Sequence, residues 1–285
     1  MVCVCRVLIG VMSGEFAKTG LGNLVEGFIE SSRRDPYLAE VTGGRRDSHD
    51  DGWGLAVAGF KNEILTIFHE KMAHPIFSDV SRELLRVFSS KLSRYEELYL
   101  LLHSRATGTE PLGTSNAHPY EVDYKLGKVW FIHNGSIDKL RASREAGIDP
   151  HLHVDSRVVA ELIAKYLSAC VTTCEDLDEC VSAAYEKLYR EYTREGEALI
   201  TGLLSYCGGS DVRLYATSLV RGYENLDNAR KAYYAVYRVW GDGFNVVSSS
   251  TLVDYYLKLS SFSKSTQQQK VLKIERDSIK TLLSV

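Results

Sequence analysis

The chain has 285 residues, 45% hydrophobic and 25% charged, with a formal net charge of −3. That is the make-up of an ordinary soluble globular protein. With no Lys/Arg run reaching five, nucleic acid is not expected as a partner, and no apolar run approaches the roughly 18 residues of a membrane span. Arg6 interrupts the short apolar run at the N-terminus, which is not the layout of a signal peptide, so a cytoplasmic protein is expected.

Val4 to Val11 is apolar, like a buried strand. Leu21, Leu24, Val25, Phe28 and Ile29 recur at helical spacing, and Pro36 is expected to close that segment. A charged loop, Arg45 to Asp51, leads into Gly52-Trp53-Gly54-Leu55-Ala56-Val57; with Ile64 to Phe68 this predicts a hairpin across Lys61-Asn62. Ser78 to Leu92 carries Val80, Leu84, Val87 and Phe88 on one helical face, with Ser78 or Asp79 as cap. Leu98 to Leu102 has no polar side, so both faces of that strand should be covered.

The segment Ala106 to Tyr120 is long, irregular and rich in Gly, Thr, Ser, Asn and Pro, as functional loops are. After a strand over Val129 to Ile132, Ser136 can cap a short helix. Asp155-Ser156 opens the clearest helix, with Val158, Val159, Leu162, Ile163, Tyr166 and Leu167 on one face; another spans Leu177 to Tyr192. Beyond Gly196 the pattern turns to strands: Leu199 to Tyr206, Val212 to Ser218, Ala232 to Val239, Phe244 to Ser248, and two more near Val271 and Ile279. Alternating tyrosines in Tyr233 to Tyr237 read as a half-exposed strand, and Ser260 to Gln269 as a polar loop. No linker or repeat divides the chain, which predicts one domain over residues 1–285, of class α+β with mainly antiparallel sheet.

Six cysteines in a chain this long do not make a disulfide scaffold. Cys170, Cys174 and Cys180 read as small buried thiols in or beside helical pattern, and Cys207, next to Gly208-Gly209, as a turn residue. Zinc needs tighter Cys/His pairs, so neither metal nor cofactor is expected. Cys3 and Cys5 are the ones that ask for a functional account.

Polar residues at the ends of buried strands are held rigidly and often display chemistry. Here Cys5-Arg6, Asp51-Gly52-Trp53-Gly54, His103-Ser104-Arg105-Ala106-Thr107, Asn116-Ala117-His118-Pro119, His133-Asn134-Gly135 and Asp155-Ser156 follow one another. In that order they resemble the class II glutamine amidotransferase domain of the N-terminal-nucleophile hydrolases. The resemblance is to its stand-alone members, which include glutamyl-amide hydrolases of glutathione breakdown and ergothioneine synthesis. It implies a four-layer αββα sandwich of two mainly antiparallel sheets, and it gives Cys5 the role of nucleophile.

Thiol-mediated amide cleavage needs a nucleophile, a proton shuttle and donors for the oxyanion. A chain-terminal cysteine carries its own base, since a free α-amine titrates near ~8 and a thiol near ~8.5. Asn134 offers a side-chain amide and Gly135 an unobstructed backbone N–H, a pair suited to an oxyanion hole, although Asn-Gly is also a plain turn. Arg105 can grip a carboxylate with both arms and Asp155 can pair with an ammonium, so together they would read the two ends of an α-amino acid. Trp53 is placed either in the pocket lining or in the core. Asn116, His118 and Pro119 shape the loop over the substrate, and none of His103, His118 and His133 is assigned as base.

Family members begin Met-Cys, whereas here Met1-Val2-Cys3-Val4 precedes Cys5, whose nitrogen is then a peptide N–H. Loss of the residues before Cys3 would leave a terminus lacking the following Arg; translation from the codon of Val4 would give Met-Cys5-Arg6. The expected substrate is a small molecule, either glutamine, whose ammonia goes free or to a separate synthase subunit, or a γ-glutamyl amide presenting the same two ends. A glutamine-binding module without catalysis is the third reading, should Cys5 never become terminal.

Overall fold

The computed structural model describes residues 4–108, 110–257, 270–273 and 278–282; the predicted loop Ser260 to Gln269 lies outside them. In chain order the elements are β1 (Val4–Ser13), α1 (Gly14–Thr19), α2 (Leu21–Arg33), α3 (Pro36–Val41), β2 (Trp53–Lys61), β3 (Ile64–Met72), α4 (Asp79–Leu92) and β4 (Glu97–Ala106). There follow β5 (Tyr120–Tyr124), β6 (Gly127–Gly135), α5 (Lys139–Ala146), α6 (Asp155–Cys170), α7 (Leu177–Tyr192), β7 (Ala198–Tyr206) and β8 (Val212–Val220). The last are α8 (Asn228–Tyr233), β9 (Val236–Gly241), β10 (Phe244–Ser249), β11 (Lys270–Lys273) and β12 (Ser278–Leu282).

Two antiparallel sheets form, a seven-stranded one in the order β11-β9-β10-β1-β4-β2-β3 and a five-stranded one in the order β12-β8-β7-β6-β5. Side chains alternate across a strand, and the alternation sorts the core into layers. In β1, Val7, Ile9 and Val11 pack with Trp130 and Ile132 of β6 and Ile200 and Leu204 of β7 between the sheets. Leu8 and Met12 face the other way, onto Leu24 and Phe28 of α2 and Leu85 of α4. In β6, Val129 and Phe131 turn outward onto Val158 and Leu162 of α6 and Val181 and Leu188 of α7. The result is helix, sheet, sheet, helix, as the resemblance implied. β4 is covered on both faces, as its uniformly apolar run requires.

Four local expectations are corrected. Pro36 opens α3 at its first turn, where a missing N–H is harmless, and the Asp35 carboxylate caps it by accepting from the N–H groups of Tyr37 and Leu38. α5 is capped by Asp138 rather than Ser136. Tyr233 and Tyr234 are buried at the end of α8, and the strand begins only at Val236; Asp227 caps that helix by accepting from the Arg230 N–H. Most consequential, Cys170 is bonded to Cys180 and Cys174 to Cys207. The chain leaves α6 at Cys170 and turns before re-entering α7, so the sulfurs of one turn diverge to separate partners. None of the described helices is long and apolar enough to cross a membrane.

Candidate active site

The candidate residues meet where the gap between the sheets opens at the ends of β1, β4 and β6. Cys5 has the parity of Val7 and so points into the gap. Register pairs it with Arg105 of β4, whose side chain shares that face, and pairs Val7 with His103. From the opposite sheet, Asn134 has the parity of Ile132 and points back across. The two strands touch there: the Cys5 backbone N–H donates to Asn134 Oδ1 at 3.0 Å. With Oδ1 so engaged, it is the oxygen and not the Nδ2 end of the amide that meets the Cys5 nitrogen. Cys5 is fully buried and belongs to neither disulfide; its Sγ lies 3.9 Å from the Ala106 carbonyl oxygen.

Next to Asn134, Gly135 has φ +150°, and a Cβ there would stand 1.7 Å from the Ala198 carbonyl oxygen. No other residue fits, so the bare backbone after Asn134 is a steric demand.

Arg105 is buried, and its guanidinium donates to the Pro111 carbonyl at 2.9 Å, which draws the loop after β4 over the gap. Further ties hold this loop: the Thr107 N–H donates to Asp51 Oδ2 at 2.7 Å, and Lys139 pairs with Glu110 at 3.2 Å. Asp155, at the start of α6, is 6% exposed. Burial raises its pKa against the pull of His133, and Glu110 raises it further. Among the described residues no Lys or Arg forms an ion pair with Asp155. A buried carboxylate in that position invites a cation.

The gap is otherwise rich in positive charge. Lys71 stands opposite Gly54, which pairs with His103, so it shares the face of Arg105. Burial, with Arg157 and Arg105 nearby, brings its ammonium down to about 8. His118 is buried between the rings of His103, at 3.9 Å, and Tyr120, at 4.7 Å, and neither of its ring nitrogens has a hydrogen-bond partner. Burial first, then His103 and Arg105, hold its pKa well below the usual histidine value.

Two residues considered for substrate contact are placed differently. Trp53 pairs with Ser104 and so faces the outer helices; it is fully buried there, and its indole N–H donates to Ser81 Oγ at 2.8 Å. Its role is core packing, and the pocket-lining expectation is withdrawn. Asn116 is half-buried in a short 3-10 turn, where its side chain donates to the Leu112 carbonyl at 3.2 Å and ties the loop to itself.

The description "glutamine amidotransferases class-II" is that of a family model that matches residues 38–218, more than half of the chain. The chain belongs to this family. No curated protein matches it. Among solved structures, a predicted glutamine amidotransferase from Pseudomonas aeruginosa PA01 is 13% identical, with a TM-score of 0.37; the match covers 99% of this chain and 94% of that one.

In this class II amidotransferase chain, sequence reasoning passed over a buried network directly behind Cys5. Arg6 points to the outer face, where its guanidinium pairs with Asp35 and lies 4.3 Å over the Tyr233 ring. His49 Nε2 lies 2.7 Å from Asp35 Oδ2, and Thr251 donates to Oδ1 at 2.7 Å. Burial opposes ionisation of Asp35, yet Arg6 and His49 hold it well below the ordinary carboxylate range. The Tyr233 hydroxyl then donates to the Cys5 carbonyl at 3.1 Å, so the network fixes the backbone of Cys5. Its members lie far apart in sequence; the only early signal was a charged Arg6 inside an apolar strand.

Proposed function

We propose that this protein hydrolyses the side-chain amide of glutamine through a thioester on Cys5, releasing glutamate and ammonia. The observation that carries the reading is the 3.0 Å bond from the Cys5 N–H to Asn134 Oδ1. It brings a thiol, an amide donor and a glycine N–H from two sheets to one place. In the proposed reaction the Cys5 thiolate attacks the amide carbon and forms the C–S bond. The oxygen, now negative, receives hydrogen bonds from Asn134 Nδ2 and the Gly135 N–H. The C–N bond then breaks, nitrogen leaves as ammonia with a proton from the base, and water hydrolyses the thioester to glutamate. Arg105 would hold the α-carboxylate in exchange for the Pro111 carbonyl, and Asp155 the α-ammonium.

No histidine in the motifs is assigned as base. His133 faces away from the gap, and His103 gives Nε2 to the His133 carbonyl at 3.1 Å. The base proposed is the α-amine of Cys5 itself, which requires removal of the residues ahead of it. β1 continues through Val4, paired with Ala106, so in the full chain that nitrogen is an amide and cannot accept a proton. This favours a second reading for uncleaved protein: a glutamine-binding module without turnover. Ammonia would pass to solvent or to a separate synthase subunit. Two disulfides suit a cytoplasmic setting only where the cytosol tolerates them, as in hyperthermophiles.

The test is a panel of glutamine and γ-glutamyl amides, with released glutamate measured on protein whose N-terminus is Cys5. Turnover of glutamine is the expected result. Turnover confined to γ-glutamyl amides would move the reading to a γ-glutamyl hydrolase, and turnover of neither would remove the hydrolytic reading.

A further inference from the structure

His133 sits on the side of β6 opposite Asn134, against the first turn of α6, and all its polar contacts are defined. Nε2 lies 3.2 Å from the Ala198 carbonyl oxygen, which can only accept, so Nε2 carries a proton. Nδ1 lies 3.0 Å from Ser156 Oγ, and Ser156 Oγ lies 3.3 Å from Asp155 Oδ1. His133 and Ser156 are at most 2% exposed and Asp155 is 6% exposed. The same imidazole underlies the glycine after Asn134, since a Cβ on Gly135 would come 2.9 Å from His133 Nε2.

We infer that His133 and Ser156 form a proton relay behind the site and act as positioning residues, tying the charge on Asp155 to the turn that carries Asn134 and Gly135. The inference rests on the reading of Asp155 as the ammonium receptor. One hydroxyl hydrogen cannot be donated twice, so the relay has two arrangements. With a neutral ring, Nδ1 accepts from Ser156, whose hydroxyl then has nothing to give Asp155. With a charged ring, Nδ1–H donates to Ser156 and the hydroxyl donates to Asp155, which stays ionised. Burial disfavours charge on both ends, lowering the His133 pKa and raising that of Asp155, and the attraction between the two offsets part of that. Besides Asp155, the groups acting on His133 include Cys5 of β1, which favours the charged ring, and His103 of β4, which opposes it; His118, ahead of β5, is also coupled to His133 by charge repulsion. Glu110 of the covering loop acts on Asp155.

A ligand ammonium docked on Asp155 supplies the positive charge that the imidazolium otherwise supplies. Two cations sharing one buried carboxylate repel, so docking drives the proton off His133 into solvent. Affinity for the amino acid therefore rises with pH through the His133 titration and levels off above it.

The experiment is nitrogen NMR of the full chain labelled at histidine, with the His133 signals assigned by their loss in His133→Gln. Without ligand, Ser156→Ala and Asp155→Asn should each lower the His133 midpoint by about one pH unit, while Ser156→Thr, which keeps the hydroxyl, restores it. Calorimetry with L-glutamine at the measured His133 midpoint, in two buffers of different ionisation heat, should then show proton release by the unaltered chain and much less by Ser156→Ala at the same pH. An unchanged midpoint in both variants overturns the relay. If the midpoints move as stated but L-glutamine does not bind, the relay stands and the substrate reading fails.

Discussion

In the proposed reaction Asn134 faces two demands at once: its oxygen accepts the Cys5 N–H, and its nitrogen would serve the developing oxyanion. Losing one such donor typically costs a factor of about 10² to 10³ in turnover. Asn134→Ala in active protein should slow release of glutamate by that much while affinity changes little. If affinity falls and turnover of bound substrate survives, Asn134 is a binding residue. In the same proposal Arg105 has the complementary role in binding. Arg105→Lys keeps the charge but loses the planar fork; hydrogen bonds to charged groups contribute about 1.5–3 kcal/mol. Isothermal calorimetry should therefore show glutamine binding weakened roughly ten- to a hundredfold, with the fold intact. Unchanged affinity removes Arg105 from the site. Both residues were legible because each ends a strand with a pronounced apolar run. Arg6 and Asp35 were not, because their partnership exists only once β1 and the start of α3 meet.

Elements with a strong period were readable, and those governed by a covalent or capping event were not. The face of α6 and the runs of β4 and β6 follow from apolar spacing alone. The end of helix α8, from Ala232, was read as the start of a strand because tyrosines alternate in Tyr233 to Tyr237, while the deciding signal was Asp227 as cap. The cysteines one turn apart looked like a continuing helix, yet they bond to residues 10 and 33 positions away. Those links fasten the turn between α6 and α7 to itself and to the loop after β7. Closing loops of such lengths restricts the unfolded chain by about 3 kcal/mol each. Urea titration with and without reductant should show a loss of several kcal/mol on reduction. Alkylation of denatured, unreduced protein should label at most two of the six cysteines. Four or more labelled cysteines would remove the disulfides.

For the whole molecule, the sandwich has a functional consequence: two sheets deliver residues from opposite sides into one gap. Motif order along the chain announced those residues, but their convergence depends on strand register. What register decides most sharply is the setting of Cys5. Its nitrogen lies inside β1, hydrogen-bonded to Asn134. In the proposed mechanism, chemistry at Cys5 turns on whether that nitrogen is an amide or an amine, because only the amine can take the thiol proton and return it to the leaving nitrogen. The direct measurement compares two forms of the protein, one retaining Met1 to Val4 and one beginning at Cys5, each N-terminus verified by intact mass. Glutamate release from glutamine is followed at neutral pH. The account predicts bound but almost unturned glutamine in the first form and sustained turnover in the second. Equal activity in both would contradict it, because an amide nitrogen could not then be the base.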